Sequence, residues 1–163
     1  MSSVPFFVIF LLAVLMYALA RGGGPERVVA VAYIVASAGS LSLSFFEMPG
    51  RFQSVPVHIF LTDILLLIAL SYLAVRANRW WIIPAAGCQL VATLVHAGKL
   101  LSPEMIPASY AILMTVWSWP MVALLGLGTW AHRRRLADGI IVPDWKPSFA
   151  RRRSPILREP QTD

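Results

Sequence analysis

Apolar residues fall into five long blocks, each broken by a short connector rich in glycine, proline or charge. The blocks cover roughly 4–20, 28–46, 56–75, 80–101 and 108–131, and the connectors read RGGGPER, EMPGRFQS, RANR and SPEMIP. An α-helix needs about 20 mostly apolar residues to cross a hydrocarbon layer of about 30 Å, and each block meets or approaches that length. The pattern predicts an all-α membrane protein: a five-helix transmembrane bundle over 1–131, followed by a polar, basic, proline-containing tail over 132–163. Pro143, Pro147, Pro155 and Pro160 argue against a long helix in the tail, and Pro120 predicts a kink in the fifth helix.

Composition sharpens this reading. Of 163 residues, 58% are apolar and 13% charged, against about 25% charged in an ordinary soluble domain. A soluble domain of this size buries only about 70% of its unfolded surface, so the surplus would lie in water as large apolar patches. Lipid is the solvent that fits. The net charge of +6 does not indicate nucleic acid, because the basic residues flank apolar blocks instead of forming a face interleaved with aromatics.

Their placement orients the bundle. With the N-terminus outside, one side holds Arg21, Arg27, Arg76, Arg79, Arg133, Arg134, Arg135, Lys146, Arg151, Arg152, Arg153 and Arg158, and the other only Arg51 and Lys99. Lys and Arg mark the cytoplasmic side, so the C-terminus is predicted in the cytoplasm and the protein in the inner (plasma) membrane. Trp80, Trp81 and Trp130 fall at the same end, at the depth where amphipathic rings anchor. The first block ends in Ala18-Leu19-Ala20, an acceptable signal-cleavage site, but no Lys or Arg precedes it and Arg21 and Arg27 follow; an uncleaved helix is expected.

Two helix faces stand out. Ala32, Ala36, Ser40 and Ser44, spaced by four, give the second helix a small-residue face suited to close packing. In the third helix Asp63 lies among Ile59, Phe60, Ile64, Leu66 and Leu67, about 10 Å from the outer end at helical rise. A carboxylate at that depth faces the bundle interior and finds a partner. The fourth helix offers Gln89, Thr93, His96 and Lys99 on one face at matching depth, with His96 the first cation and Lys99 the second.

That cluster reads either as a polar lock between helices or as a small site for a quinone-like headgroup, a proton or a polar solute. His58 and His96 are candidate ligands for a haem b, and no metal site is otherwise indicated. The chain has one cysteine, Cys88, and no HExxH, GxSxG or phosphate loop, so no catalytic set is legible. The leading expectation is a non-catalytic accessory or assembly subunit of a larger membrane complex, with Arg133, Arg134, Arg135, Arg151, Arg152 and Arg153 docking on partner subunits or anionic lipid headgroups. The alternative is a small carrier or redox-linked enzyme using Asp63, His96 and Lys99.

Overall fold

The computed structural model describes residues 3–44, 57–101, 112–113, 115–140 and 143–147, with 3, 4 and 40–44 in backbone only. Among these the protein is all-helical: α1 Ser3–Arg21, α2 Gly24–Ser44, α3 Val57–Arg76, α4 Ile82–Leu101 and α5 Ser118–Ala137. Each helix packs on its neighbour in chain order, α5 closes back on α1, and α2 also touches α5 across the ring.

Apolar side chains face both ways. Val29, Ala30, Leu70, Trp81, Ile82 and Leu125 are completely buried in the core. On the outside, α1 presents Phe6, Ile9, Leu12 and Met16, and α3 presents Leu61, Leu65, Ile68, Tyr72 and Val75, each set a continuous stripe at helical spacing. Among the described helices, Val57–Arg76 alone is long and apolar enough to cross a membrane, while Pro5–Arg21 is apolar but shorter. This all-helical bundle with one candidate span is a coarser result than the five spans predicted. The other helices carry polar residues within their length: Glu26 and Arg27 on α2, Gln89 to Lys99 on α4, and His132 to Arg135 on α5.

Helix ends differ from the sequence reading where local chemistry overrides hydropathy. α2 begins at Gly24, four residues before the predicted start, because proline fits the first turn, where an N–H would have no helical partner. α5 runs six residues past the expected end, to Ala137. Basic residues favour the C-terminal end of a helix dipole, and the helix stops where Gly139, at φ 72°, lets Ile140 N–H reach the Arg135 carbonyl at 2.9 Å. The break associated with Pro120 falls at Trp117, a turn that precedes α5. Pro120 then sits in the first turn, where its missing N–H costs no helical bond.

Trp80 and Trp81 part company. Trp80 is exposed, whereas Trp81 is fully buried and belongs to the core instead of the surface anchor expected for it. Its ring lies against Gly128 of α5, where an added Cβ would come within 2.3 Å of the indole nitrogen. Only glycine accommodates that approach.

Candidate functional site

The polar face of α4 is turned inward: Gln89, Thr93, His96 and Lys99 are all buried, while Leu90 and Leu94 on the opposite side are exposed. His96 Nε2 meets Asp63 Oδ2 of α3 at 2.9 Å. Gln89 Nε2 donates to the Asp63 backbone carbonyl at 3.2 Å, and Thr93 Oγ1 to the Gln89 carbonyl at 2.8 Å. The His96 ring packs on Phe60, with centroids 5.8 Å apart. Lys99 is buried one turn beyond His96, and His58 is half-buried near the start of α3.

Beside this pair lies a cavity of about 210 Å³ with walls from all five helices: Phe7 and Leu11 of α1, Tyr33, Ala36 and Ser37 of α2, Asp63 and Leu66 of α3, Gln89 of α4, and Ser118, Met121 and Val122 of α5. This space has room for several waters or one small ring. The His96 nitrogen that a haem iron would take faces Asp63. One donor at the cavity wall stands out. The Tyr33 hydroxyl is buried with no hydrogen-bond partner among the described residues. A buried hydroxyl left unpaired costs about 1–3 kcal/mol, so a partner beyond the described residues is expected for it.

A second polar cluster closes the opposite end, and sequence reasoning did not single it out. Glu26 of α2 and Arg79, in the α3–α4 connector, are both fully buried in their side chains and meet Oε1 to Nε at 2.9 Å. Trp81 Nε1 also donates to Glu26 Oε1, at 3.3 Å. The Arg79 guanidinium reaches the Asn78 carbonyl at 3.1 Å, His132 Nδ1 at 3.2 Å and the Asp144 carboxylate. Arginine is always a donor, so His132 Nδ1 is the acceptor in that contact. Asp144 Oδ2 in turn accepts the Gly24 N–H at 2.8 Å, capping α2 from 120 positions away.

Residues 143–147 thereby form a strap over the ends of α2 and α3. Asn78 N–H donates to the Asp144 carbonyl at 3.0 Å, Lys146 N–H to the Arg76 carbonyl at 2.9 Å, and Ala77 pairs with Trp145 in an antiparallel bridge. Gly23 makes room beneath it: an added Cβ would sit 3.0 Å from atoms of Asp144, Glu26 and His132 at once. The available signal was Glu26 placed directly after Gly-Gly-Gly-Pro, in a chain with only eight acidic residues.

Of the remaining candidates, Ala32 and Ala36 pack against the chain's own core, and the Ser40 and Ser44 side chains lie outside the described residues. Arg133 and Arg134 are exposed on α5, the latter 5.4 Å from the Trp130 ring, and Arg135 Nε donates to the Ala131 carbonyl. Arg151, Arg152 and Arg153 lie outside the described residues. No family model, curated protein or solved structure matches the chain.

Proposed function

We propose that the chain is a five-span inner-membrane protein, N-terminus outside and C-terminus cytoplasmic, that holds a small lipid-soluble molecule in the cavity beside Asp63 and His96. Support for the membrane reading comes from the exposed apolar stripes of α1 and α3 and from α3 itself. Only 17% of its candidate span is buried, unlike the core helix of a water-soluble protein. The charge asymmetry of the sequence sets the orientation. The role is non-catalytic: the site binds and presents a molecule, as an accessory subunit of a larger membrane complex would.

One observation carries the ligand reading. A buried hydroxyl with no partner among the described residues, that of Tyr33, shares a cavity with Asp63 of the carboxylate–imidazole pair. Such a wall suits a single-ring, quinone-like headgroup: the tyrosine donates to a carbonyl oxygen of the oxidised form, and Asp63 accepts from a hydroxyl of the reduced, quinol form. The apolar wall takes the ring faces.

The test is binding of a short-chain benzoquinone to the purified protein in detergent, read by quenching of tryptophan fluorescence. Trp119 packs at a tilt against Phe7, a cavity residue, at 5.1 Å between centroids, and is placed to report occupancy. Saturable quenching at one site per chain is expected. Quenching that only follows partition into empty micelles would sink the ligand reading. Reporter fusions after Asp163 check the orientation separately, and a periplasmic signal there would overturn it.

A further inference from the structure

We propose that the groove between the end of α3 and the 143–147 strap binds the phosphate of an anionic phospholipid. It has a volume of about 340 Å³ and is lined by Tyr72, Arg76, Trp145 and Lys146, two aromatics and two cations with no carboxylate among them. The nearest acid in sequence, Asp144, is engaged with Arg79 and Gly24 on the other side of the strap.

The two cations are held together by the backbone. Lys146 N–H bonds the Arg76 carbonyl at 2.9 Å, and Lys146 Nζ is steadied by the Ala74 carbonyl at 3.3 Å. Arg76 lies 5.6 Å over the Tyr72 ring, with Nε on the Tyr72 hydroxyl at 3.3 Å. That is its one side-chain hydrogen bond among the described residues. A guanidinium has five N–H donors and an ammonium three, so the groove keeps several donors for the oxygens of a single phosphate.

Position selects lipid over a soluble anion. Arg76 ends the helix whose length and apolarity suit a bilayer, which puts the groove at headgroup depth under the membrane reading on which this inference rests. Below it, Leu65, Ile68, Tyr72 and Val75 form an exposed apolar stripe along α3, a track for acyl chains leading from the phosphate site into the hydrocarbon. Exposed Trp80, Trp130 and Trp145 crowd the same end, as interfacial aromatics do.

The experiment reconstitutes the full chain into nanodiscs of phosphatidylglycerol and phosphatidylcholine in equal parts. Lipid retained after release into mild detergent is then counted by native mass spectrometry. Wild type is expected to keep phosphatidylglycerol preferentially. A basic residue near an anionic leaflet contributes about 1 kcal/mol, so the double variant Arg76→Gln, Lys146→Gln should lose roughly thirty-fold of that preference. The control, Arg133→Gln with Arg134→Gln, removes the same charge from α5 and should stay within about two-fold of wild type, because neither residue lines the groove.

Equal losses in the two double variants would reduce the effect to bulk charge and overturn the site. Displacement of the retained lipid by millimolar inorganic phosphate would overturn the lipid as its occupant. Equal retention of both lipids by wild type would refute this inference while leaving the five-span reading standing, whereas failure to enter nanodiscs would remove both. Quinone quenching by the groove variant should match wild type, which separates this site from the cavity.

Discussion

Glu26 with Arg79 and Asp63 with His96 are both pairs of a carboxylate and a nitrogen base, both brought together from different parts of the chain, and both 2.9 Å apart. Distance does not tell them apart; their surroundings do. In the clasp, Arg79 is enclosed by Glu26, Asn78, His132 and Asp144, and Trp81 adds a second donor to Glu26. The one oxygen there without a hydrogen bond, Glu26 Oε2, is packed under Gly23. At the pocket, Asp63 keeps 21% of its side chain exposed beside an open cavity, and the Tyr33 hydroxyl lining it has no partner among the described residues. A cluster whose donors are nearly all satisfied stabilises the fold. One with donors left over has capacity to bind something else.

The comparison breaks most readily at Arg79. Arg79→Leu strands the Glu26 carboxylate in the core, and removing one partner of a buried pair destabilises by about 3–5 kcal/mol. Unfolding of the purified protein in detergent by denaturant, followed through Trp fluorescence, should register a loss of that size. The double variant Glu26→Leu, Arg79→Leu should recover much of it, because no buried charge is then left unpaired. A loss below about 1 kcal/mol in the single variant would mean that the clasp is solvated and no more structural than the pocket.

A smaller effect is expected where the clasp meets the core, at Gly128. Gly128→Ala drives a Cβ into the Trp81 indole, and overpacking of this kind costs about 1–3 kcal/mol, more than the helix propensity that alanine adds. Because Trp81 Nε1 donates to Glu26, a displaced ring also loosens the clasp, and the variant's tryptophan emission should shift along with its stability. An unchanged spectrum and stability would show that Trp81 has room to move, contrary to its complete burial.

The two clusters were not equally legible in the sequence. Asp63 stood out because no other acid lies within its apolar block, and the spacing of Gln89, Thr93, His96 and Lys99 put four polar side chains on one helix face. Periodicity and cost were enough to suggest that the two belonged together. Five helices were legible for the same reason, from the length and apolarity of the blocks. The clasp was hidden because its members are far apart in sequence: Glu26, Arg79, His132 and Asp144 come from four segments, and near a helix end a charged residue reads as solvated. Arg79 counted only as a marker of orientation. Gly139 was a missed signal of another kind, since glycine after a run of basic residues marks where a helix stops. The tyrosine was missed because its significance lies in a hydrogen bond that is absent, and absence has no sequence pattern.

The smallest expected change in stability is also the sharpest test of the pocket. Tyr33→Phe removes a hydroxyl with no hydrogen-bond partner and keeps the ring that packs against the core. In the ligand-free protein that should leave stability unchanged or raise it by up to about 1 kcal/mol, because an unpaired buried polar group is a cost. Quinone affinity should fall, by roughly two- to twelve-fold for one hydrogen bond of about 0.5–1.5 kcal/mol. Asp63→Asn should likewise spare stability but weaken binding of the quinol form, since an amide still accepts from His96 but no longer offers the ligand's hydroxyl a charged acceptor. The combination of undiminished stability with weakened binding distinguishes a ligand site from a lock between helices. If Tyr33→Phe instead destabilises the protein by more than about 1 kcal/mol, the hydroxyl has a structural partner, an enclosed water for instance. The pocket would then be satisfied in the same way as the clasp, and the difference on which the ligand reading stands would be gone.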